Sequence, residues 1–504
     1  MTRGFAACLL AAWSCTSTPP PLPGAIVVGL ANSPANLDPA VGLDEASQKL
    51  HQLLYSSLLR TDDALRVVPD LATRFETADS QTWVAEIPPG VRFHDGREMT
   101  AADVAYTFQR FLDPAFVSGR KGAYRALESV EVTGPYTVAF HLREPSVSFP
   151  INLVMGIVPA GAGAGLARQP VGSGPYRLVE FVPDDHVTLA AFEDYHRGAP
   201  GNPGLTFKVV PDDTMRGLEL RKGSLDLIVN DLGPDLVFGL QREGRLQIVT
   251  GPGTDFAYVG FNLRDPALAD ARVRLAIAHG IDREAIITHL RRGLGTLTAG
   301  IVPPMSWAHA DDVAPPAYDP ARARELLDEA GFTDPDGAGP RPRLALTLKT
   351  STAEAYRLQA TVIQRQLADV GIAIDVRSYE FATLFADVIR GNVQLYTLQF
   401  VGVTDPDMLR RVLHSEQIPP AGLNRGHYRN PDVDRLLAAA ADTLDPEAQK
   451  RLYMEVQRLA AADTPLVGLW TKVNVAVAQP DLRNIALSPT ADFGFLQHVT
   501  RTAR

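Results

Sequence analysis

Hydroxyl, imidazole and carboxylate side chains are the parts from which a hydrolytic centre is built, and the chain offers each in a short run. Gly172-Ser173-Gly174 sets a serine between glycines, His94-Asp95 sets an imidazole beside a carboxylate, and Asp184-Asp185, Asp212-Asp213 and Asp311-Asp312 pair two acids. Spacing argues against each as a catalytic motif. A nucleophile elbow keeps one residue between its serine and each glycine, which this serine lacks. No paired-histidine zinc motif and no glycine-rich phosphate loop with its lysine occurs. Adjacent carboxylates at turns and helix starts ordinarily cap free amides. A hydrolase assembled from distant residues stays open as one function class, and a binding protein is the other.

The two cysteines, Cys8 and Cys15, fall within the first fifteen residues, so the rest of the chain has no disulfide and no thiolate metal ligand. No metal and no cofactor is expected. A net charge of -10 without clustered Lys and Arg argues against a nucleic-acid surface. Residues 1–15 have the charge and apolar order of a secretory signal, ending in Ala12-Trp13-Ser14-Cys15, which resembles a lipoprotein cleavage site and makes Cys15 the expected lipidation point. Trp13 is bulkier than that pattern usually allows. Residues 16–24 are Pro-rich and read as an extended tether. The uncharged run Ile151 to Ala167 contains Pro159, Gly161, Gly163 and Gly165, which favour a loop over a spanning helix.

These side chains must be positioned by elements whose signals are local. In VRFHDGREMTAADVAYTFQRFLDP, Val91 to Pro114, Asp95-Gly96 predicts a turn, Thr100 a helix cap with Asp103 at the third helical position, and Asp113-Pro114 a stop. Ala25 to Leu30 reads as a buried strand and Ala46 to Leu59 as helix-like. In PVGSGPYRL, Gly172 and Gly174 predict a tight turn before a strand from Tyr176. Leu205 to Val210, a helix from Asp212 and Leu225 to Val229 form one strand–helix–strand unit. Leu344 to Leu348, Glu354 to Val370 and Ile372 to Val376 form a second, with Gly371 between helix and strand. Two α/β lobes follow.

The Val91 stretch resembles the signature of peptide-type solute-binding proteins, and PVGSGPYRL, the ADARVRLAIAHGIDREAI segment, YDPARARELLDEAGF and NPDVDRLLAAA resemble further motifs of that family in the same order. The resemblance runs over nearly the whole chain from Ala25. It implies a solute-binding protein of the peptide/nickel/opine class of ABC importers. The implied fold is an α/β, two-lobed periplasmic-binding-protein-like fold, type II of the large peptide-binding class, with an extra domain inserted in the first lobe. The expected division is lobe I at 25–44, 171–250 and 480–504, the inserted domain at 45–170 and lobe II at 251–479.

It implies a non-enzymatic mechanism in which a peptide or other small solute enters between the lobes, shifts the population toward a closed form and is passed to permease subunits. The protein is expected to be an extracytoplasmic monomer, held to the membrane by its lipid. A ligand sensor on the same fold is the alternative within the binding class. Expected cleft residues follow strand ends or match family cleft segments: Asn32 and Ser33, Tyr258 and Asn262, Phe400, Gly402, Thr404 and Asp405, and Asn424 and Arg425 in NRGHY. Competing assignments are core for Tyr258, a helix cap for Asp405 and a surface ion pair for Arg425. Aligned on Asp405-Pro406, Gly402 occupies the position where peptide-binding members commonly place an aspartate for the ligand's ammonium, which implies a longer, modified or non-peptide solute.

Overall fold

The computed structural model describes residues 23–337 and 339–502, so the signal, Cys15 and most of the tether lie outside the described residues. One large mixed sheet runs through the molecule. Its main path is Ile372–Tyr379, Leu344–Ser351, Leu395–Phe400, Gln247–Phe261, Leu466–Ala478, Leu227–Val229, Ile26–Leu30, Gly204–Val209, His186–Ala191 and Tyr176–Val182. The strand Ile26–Leu30 is parallel to both of its neighbours, Gly204–Val209 and Leu227–Val229. Leu344–Ser351 is likewise parallel to Ile372–Tyr379 and to Leu395–Phe400. The two strand–helix–strand units therefore form, one toward each end of the sheet.

Two long strands join these ends. Gln247–Phe261 and Leu466–Ala478 are antiparallel, with Gln247 opposite Ala478 and Gly260 opposite Leu466. Their register breaks between Pro252, opposite Val473, and Phe256, opposite Thr471. Gly253, Thr254 and Asp255 thus oppose Lys472 alone, a bulge that bends the pair where the two lobes meet. A Cβ on Gly253 would stand 2.4 Å from the Lys472 carbonyl oxygen, so only glycine fits there. Beyond the bulge Ala476 to Ala478 of the C-terminal strand pair with Leu227 to Val229.

Separate apolar cores sit on either side of the bulge. One packs Ile26, Val28 and Phe207 with Phe493 and Leu496. Another packs Phe261, Ile277, Ile363 and Leu367, beside a third built on Tyr258, Tyr396 and Phe400. The four-stranded sheet of Arg74–Thr77, Thr82–Glu86, Thr137–Leu142 and Leu127–Gly134 buries its own core with Phe93, Val104, Phe108 and Phe140. The helix Glu45–Leu54 packs Leu50, Leu53 and Leu54 into the first-lobe core, although the sequence reading placed it at the start of the inserted domain. It also stops at Leu54, short of Leu59, because Tyr55 is extended.

Gly172 and Gly174 explain that stop. Neither has a left-handed φ; each is needed because a Cβ would lie 1.8 Å and 2.5 Å from the carbonyl oxygens of Leu54 and Leu53 respectively. The Gly174 amide donates to the Leu54 carbonyl at 3.0 Å and so satisfies the helix end. His94 clamps the same loop. Its Nδ1 accepts from the Gly172 amide at 3.3 Å and its Nε2 faces the Gly174 carbonyl at 3.0 Å, which fits the neutral ring. Burial lowers its pKa to about 4.

The predicted Thr100 helix runs Ala101–Gln109. Asp103 accepts from the Thr100 amide at 2.8 Å and from the Ala160 amide at 2.8 Å, tying the helix start to the loop after Pro159. The run 149–167 around Pro159 holds only short 3-10 turns, Phe149–Leu153 and Ala164–Ala167. Among the described residues no helix is long and apolar enough to cross a membrane.

Candidate functional site

The bulge of the crossing strands opens into a cavity of ≈ 710 Å³ whose walls come from every part of the molecule. The helix Glu45–Leu54 contributes Glu45, Lys49 and His51, the inserted domain Arg120 and Met155, the crossing strands Thr254, Asp255, Lys472 and Asn474, and the second lobe Val401, Gly402 and Thr404. Such a volume suits a solute of several residues.

Charge in the cleft is mostly paired. Lys49 meets Glu45 at 2.8 Å and approaches Asp231 at 3.9 Å, while Lys472 lies 3.7 Å from Asp255. His51 is buried, with Nε2 3.1 Å from the Asn36 carbonyl. Burial, aided by the charge of Arg120, lowers its pKa to about 4, so it is neutral at pH 7. Asn230 takes a left-handed φ of 62° and joins Asn474 through Nδ2 at 3.1 Å, and Asn474 donates onward to the carbonyls of Pro252, Ser488 and Pro489. This network holds the bulge against the C-terminal loop.

Gly402 stands on the opposite wall. Its φ is +65°, its amide donates to Asp255 Oδ1 at 2.9 Å, and a Cβ added there would meet nothing within 4 Å. The Val403 amide donates to the Thr254 carbonyl at 3.0 Å, so the loop after Leu395–Phe400 is moored to the bulge itself. Val401 is 75% exposed. Thr404 also borders a second cavity of ≈ 410 Å³, lined by Leu59, Leu65, Phe75 and Trp83 of the inserted domain and by Trp307, Pro406 and Tyr453 of the second lobe. A backbone bond from the Trp307 amide to the Ala64 carbonyl, 2.9 Å, bridges its two sides.

The other expected residues lie elsewhere. Asp405 borders the second cavity and accepts from the Asp407 amide at 2.9 Å, as a turn cap does. Burial, with the Asp407 charge, raises its pKa to about 6. Tyr258, Phe400 and Arg425 come together inside the second lobe. Arg425 Nη1 donates to the Tyr258 hydroxyl at 2.9 Å, and its guanidinium lies 5.2 Å from the Phe400 ring and 5.1 Å from the Phe385 ring. Asn424 is buried beside them and closes a turn, with its side chain bonded to the His414 and Tyr428 carbonyls and the Tyr428 amide. Asn262 donates to the carbonyls of Gly391 and Val393. Asn32 is exposed, and Ser33 Oγ accepts from the Asp184 amide at 3.1 Å; neither is among the residues lining the cleft.

Among the described residues no hydrogen bond joins the candidate hydrolytic groups to one another. Ser173 Oγ is buried without a partner, Asp212 caps the helix Asp213–Lys222, and Asp312 pairs with Arg458 at 2.8 Å. No group of three or more His, Cys, Asp or Glu among the described residues could hold a metal ion.

Comparison with known proteins adds the lineage. Residues 66–417 match the family described as bacterial extracellular solute-binding proteins, family 5. The chain belongs to this family. It is 29% identical over 492 residues to the oligopeptide-binding protein AppA of Bacillus subtilis, covering 93% of this chain and 90% of that protein. It is 30% identical over 489 residues to the glutathione-binding protein GsiB of Salmonella typhi, covering 93% of each. The structure of Bacillus subtilis AppA in complex with a nonapeptide matches with a TM-score of 0.73 at 27% identity, covering 95% of this chain and 99% of that one. HbpA2 from Haemophilus parasuis matches with a TM-score of 0.85 at 23% identity, over 95% and 100%. The fold is that of the type II periplasmic binding proteins of the peptide-binding class, as the family resemblance implied.

Proposed function

We propose that this family member is the extracytoplasmic solute-binding subunit of an ABC importer, capturing a peptide or peptide-like solute between its lobes and delivering it to the permease. The observation that carries this reading is the ≈ 710 Å³ cleft at the bulge of the crossing strands, walled by the first lobe, the inserted domain and the second lobe together. A solute touching all three walls stabilises the arrangement that brings them together, because it gains contacts there that a separated pair of lobes lacks. The peptide class is supported by relatives whose names record oligopeptide and glutathione binding.

Within this reading the first lobe ends at the bulge and resumes near Lys472, and the inserted domain begins after Leu54. Gly402 and Thr404 are the ligand-facing members of the set expected from sequence; Tyr258, Phe400, Asn424 and Arg425 support that wall from behind. Binding, with no bond made or broken, is the whole of the chain's activity. The mature chain is monomeric and anchored through a lipid on Cys15. Calorimetric titration with pooled tripeptides and with glutathione tests the capture: saturable, stoichiometric uptake is expected. Absence of uptake, or turnover of the peptides, overturns it. Recovery of a Cys15→Ala variant in the membrane fraction as fully as the wild type would remove the anchor.

A further inference from the structure

Thr404 borders both the solute cleft and the ≈ 410 Å³ cavity beside it, so the two adjoin at one side chain. Aromatic residues line this second cavity from both sides. On the inserted domain Phe75 stacks on Trp83 with ring centroids 5.1 Å apart, and the Trp83 indole donates to the Ser80 carbonyl at 3.2 Å, which satisfies its polar group within that domain. On the second lobe Trp307 meets Tyr453 edge-on at 6.1 Å. Leu65, in the hairpin that pairs Leu59–Thr61 with Val67–Pro69, also lines the cavity; it is 2% exposed and takes a left-handed φ of 60°. That conformation is costly for leucine, and such strain collects at ligand clamps.

Asp405 and Arg66 are the charged residues of this lining, and Arg66 is exposed. Asp405 Oδ1 accepts from the Asp407 amide, whereas Oδ2 accepts no hydrogen bond from a described residue and the carboxylate has no ion pair among them. Oδ2 keeps accessible surface, so a group entering the cavity can reach it. An acceptor beside aromatic walls suits a flat apolar ring that carries an O–H or N–H, and it repels an acid.

We propose that the second cavity is a side-chain subsite of the solute site, filled by a tyrosine or tryptophan of a peptide whose O–H or N–H donates to Asp405 Oδ2. The solute class is then peptides that carry such a residue. The inference rests on the adjoining cleft being the solute site, with Thr404 at the passage between them. A volume of ≈ 410 Å³ lies within the range of small-molecule pockets. Its walls belong to the inserted domain and the second lobe, so a ring seated there adds contacts across those two parts and favours the arrangement that joins them.

The test is calorimetric titration of trialanine and of its variants with Tyr, Trp, 1-methyltryptophan or Glu at each position in turn. At the best position wild type is expected to bind Tyr and Trp about tenfold to a hundredfold more tightly than Ala, the range for burying an aromatic side chain. Trp should exceed 1-methyltryptophan, which has no donor, by about threefold to tenfold, and Glu should bind no better than Ala. Trp307→Ala keeps the amide that bonds the Ala64 carbonyl but removes a wall, and should bring the Trp-to-Ala ratio toward one. In Asp405→Asn the amide oxygen can serve the Asp407 turn, which leaves only a donor toward the cavity, so the advantage of Trp over 1-methyltryptophan should vanish. Wild-type binding that is equal for Trp and Ala, or equal for Trp and 1-methyltryptophan, overturns the subsite while leaving peptide capture intact. An undiminished Trp-to-Ala ratio in Trp307→Ala does the same. Failure of every tripeptide to bind overturns capture and the subsite together.

Discussion

Installing a carboxylate at Gly402 should give the cleft an ammonium site that it lacks. A Cβ there enters open space, so Gly402→Asp meets no steric block, and the left-handed φ of +65° costs about 1 kcal/mol of stability in free and bound forms alike. That strain cancels from the affinity. A charge-assisted bond from the new carboxylate to a peptide's α-ammonium contributes about 1.5 to 3 kcal/mol, or roughly tenfold to a hundredfold in Kd.

Asp255 accepts from the Gly402 amide and would repel the new acid before ligand arrives. An ammonium placed near both relieves that repulsion, so it adds to the gain, and work at pH 7 keeps the new acid ionised while the peptide's α-amino group stays protonated. Calorimetric titration of a tripeptide and its N-acetyl form is the assay. Wild type should bind the two within about threefold of each other. The variant should gain only for the free amine. Equal gains for both forms, or submicromolar wild-type binding that collapses on acetylation, would refute the reasoning.

Further outcomes follow from the buried polar groups. Arg425→Ala removes the bond to Tyr258 and the contacts with two rings, and should lower unfolding stability by about 3 kcal/mol in urea; unchanged stability with lost binding would instead make Arg425 a ligand group. His51 has a folded pKa of about 4 against 6.5 ordinarily, so the unfolded chain binds more protons across that window. Its contribution, about 3 kcal/mol at full shift, is present at pH 7 and lost as the pH falls toward 4. His51→Gln should therefore flatten urea stability between pH 7 and 4.5 relative to wild type, while His94 keeps part of the slope. An unaltered slope would show that His51 is not held neutral.

Elements with local signals were legible in the sequence. Asp212, Asp282, Asp319 and Asn430 each accept amides at the helix starts they mark, and Gly371 takes a φ of +87° after the helix Glu354–Ala368. The cleft was legible only where it follows a strand end, at Gly402 and Thr404. By the same rule Asn230, directly after Leu227–Val229, was available and missed. Lys49, Arg120, Asp255 and Lys472 are scattered along the chain, and each alone reads as a solvated charge; the bulge that gathers Asp255 and Lys472 is a register break with no local signature beyond Gly253. Tyr258 misled for a different reason. The strand around it is buried on both faces, so its alternation does not say which face meets the cleft. Gly172 and Gly174 were read as turn formers, whereas contact with Leu53 and Leu54, distant in sequence, requires them.

Capture by closure is tested most directly by small-angle scattering of the protein with and without a peptide whose stoichiometric binding has been verified by titration. Lobes joined through the bulged crossing strands and clasping a solute between them should give a smaller radius of gyration with ligand, at unchanged molecular mass. A ligand-saturated protein with the same radius of gyration as the free one would contradict the account.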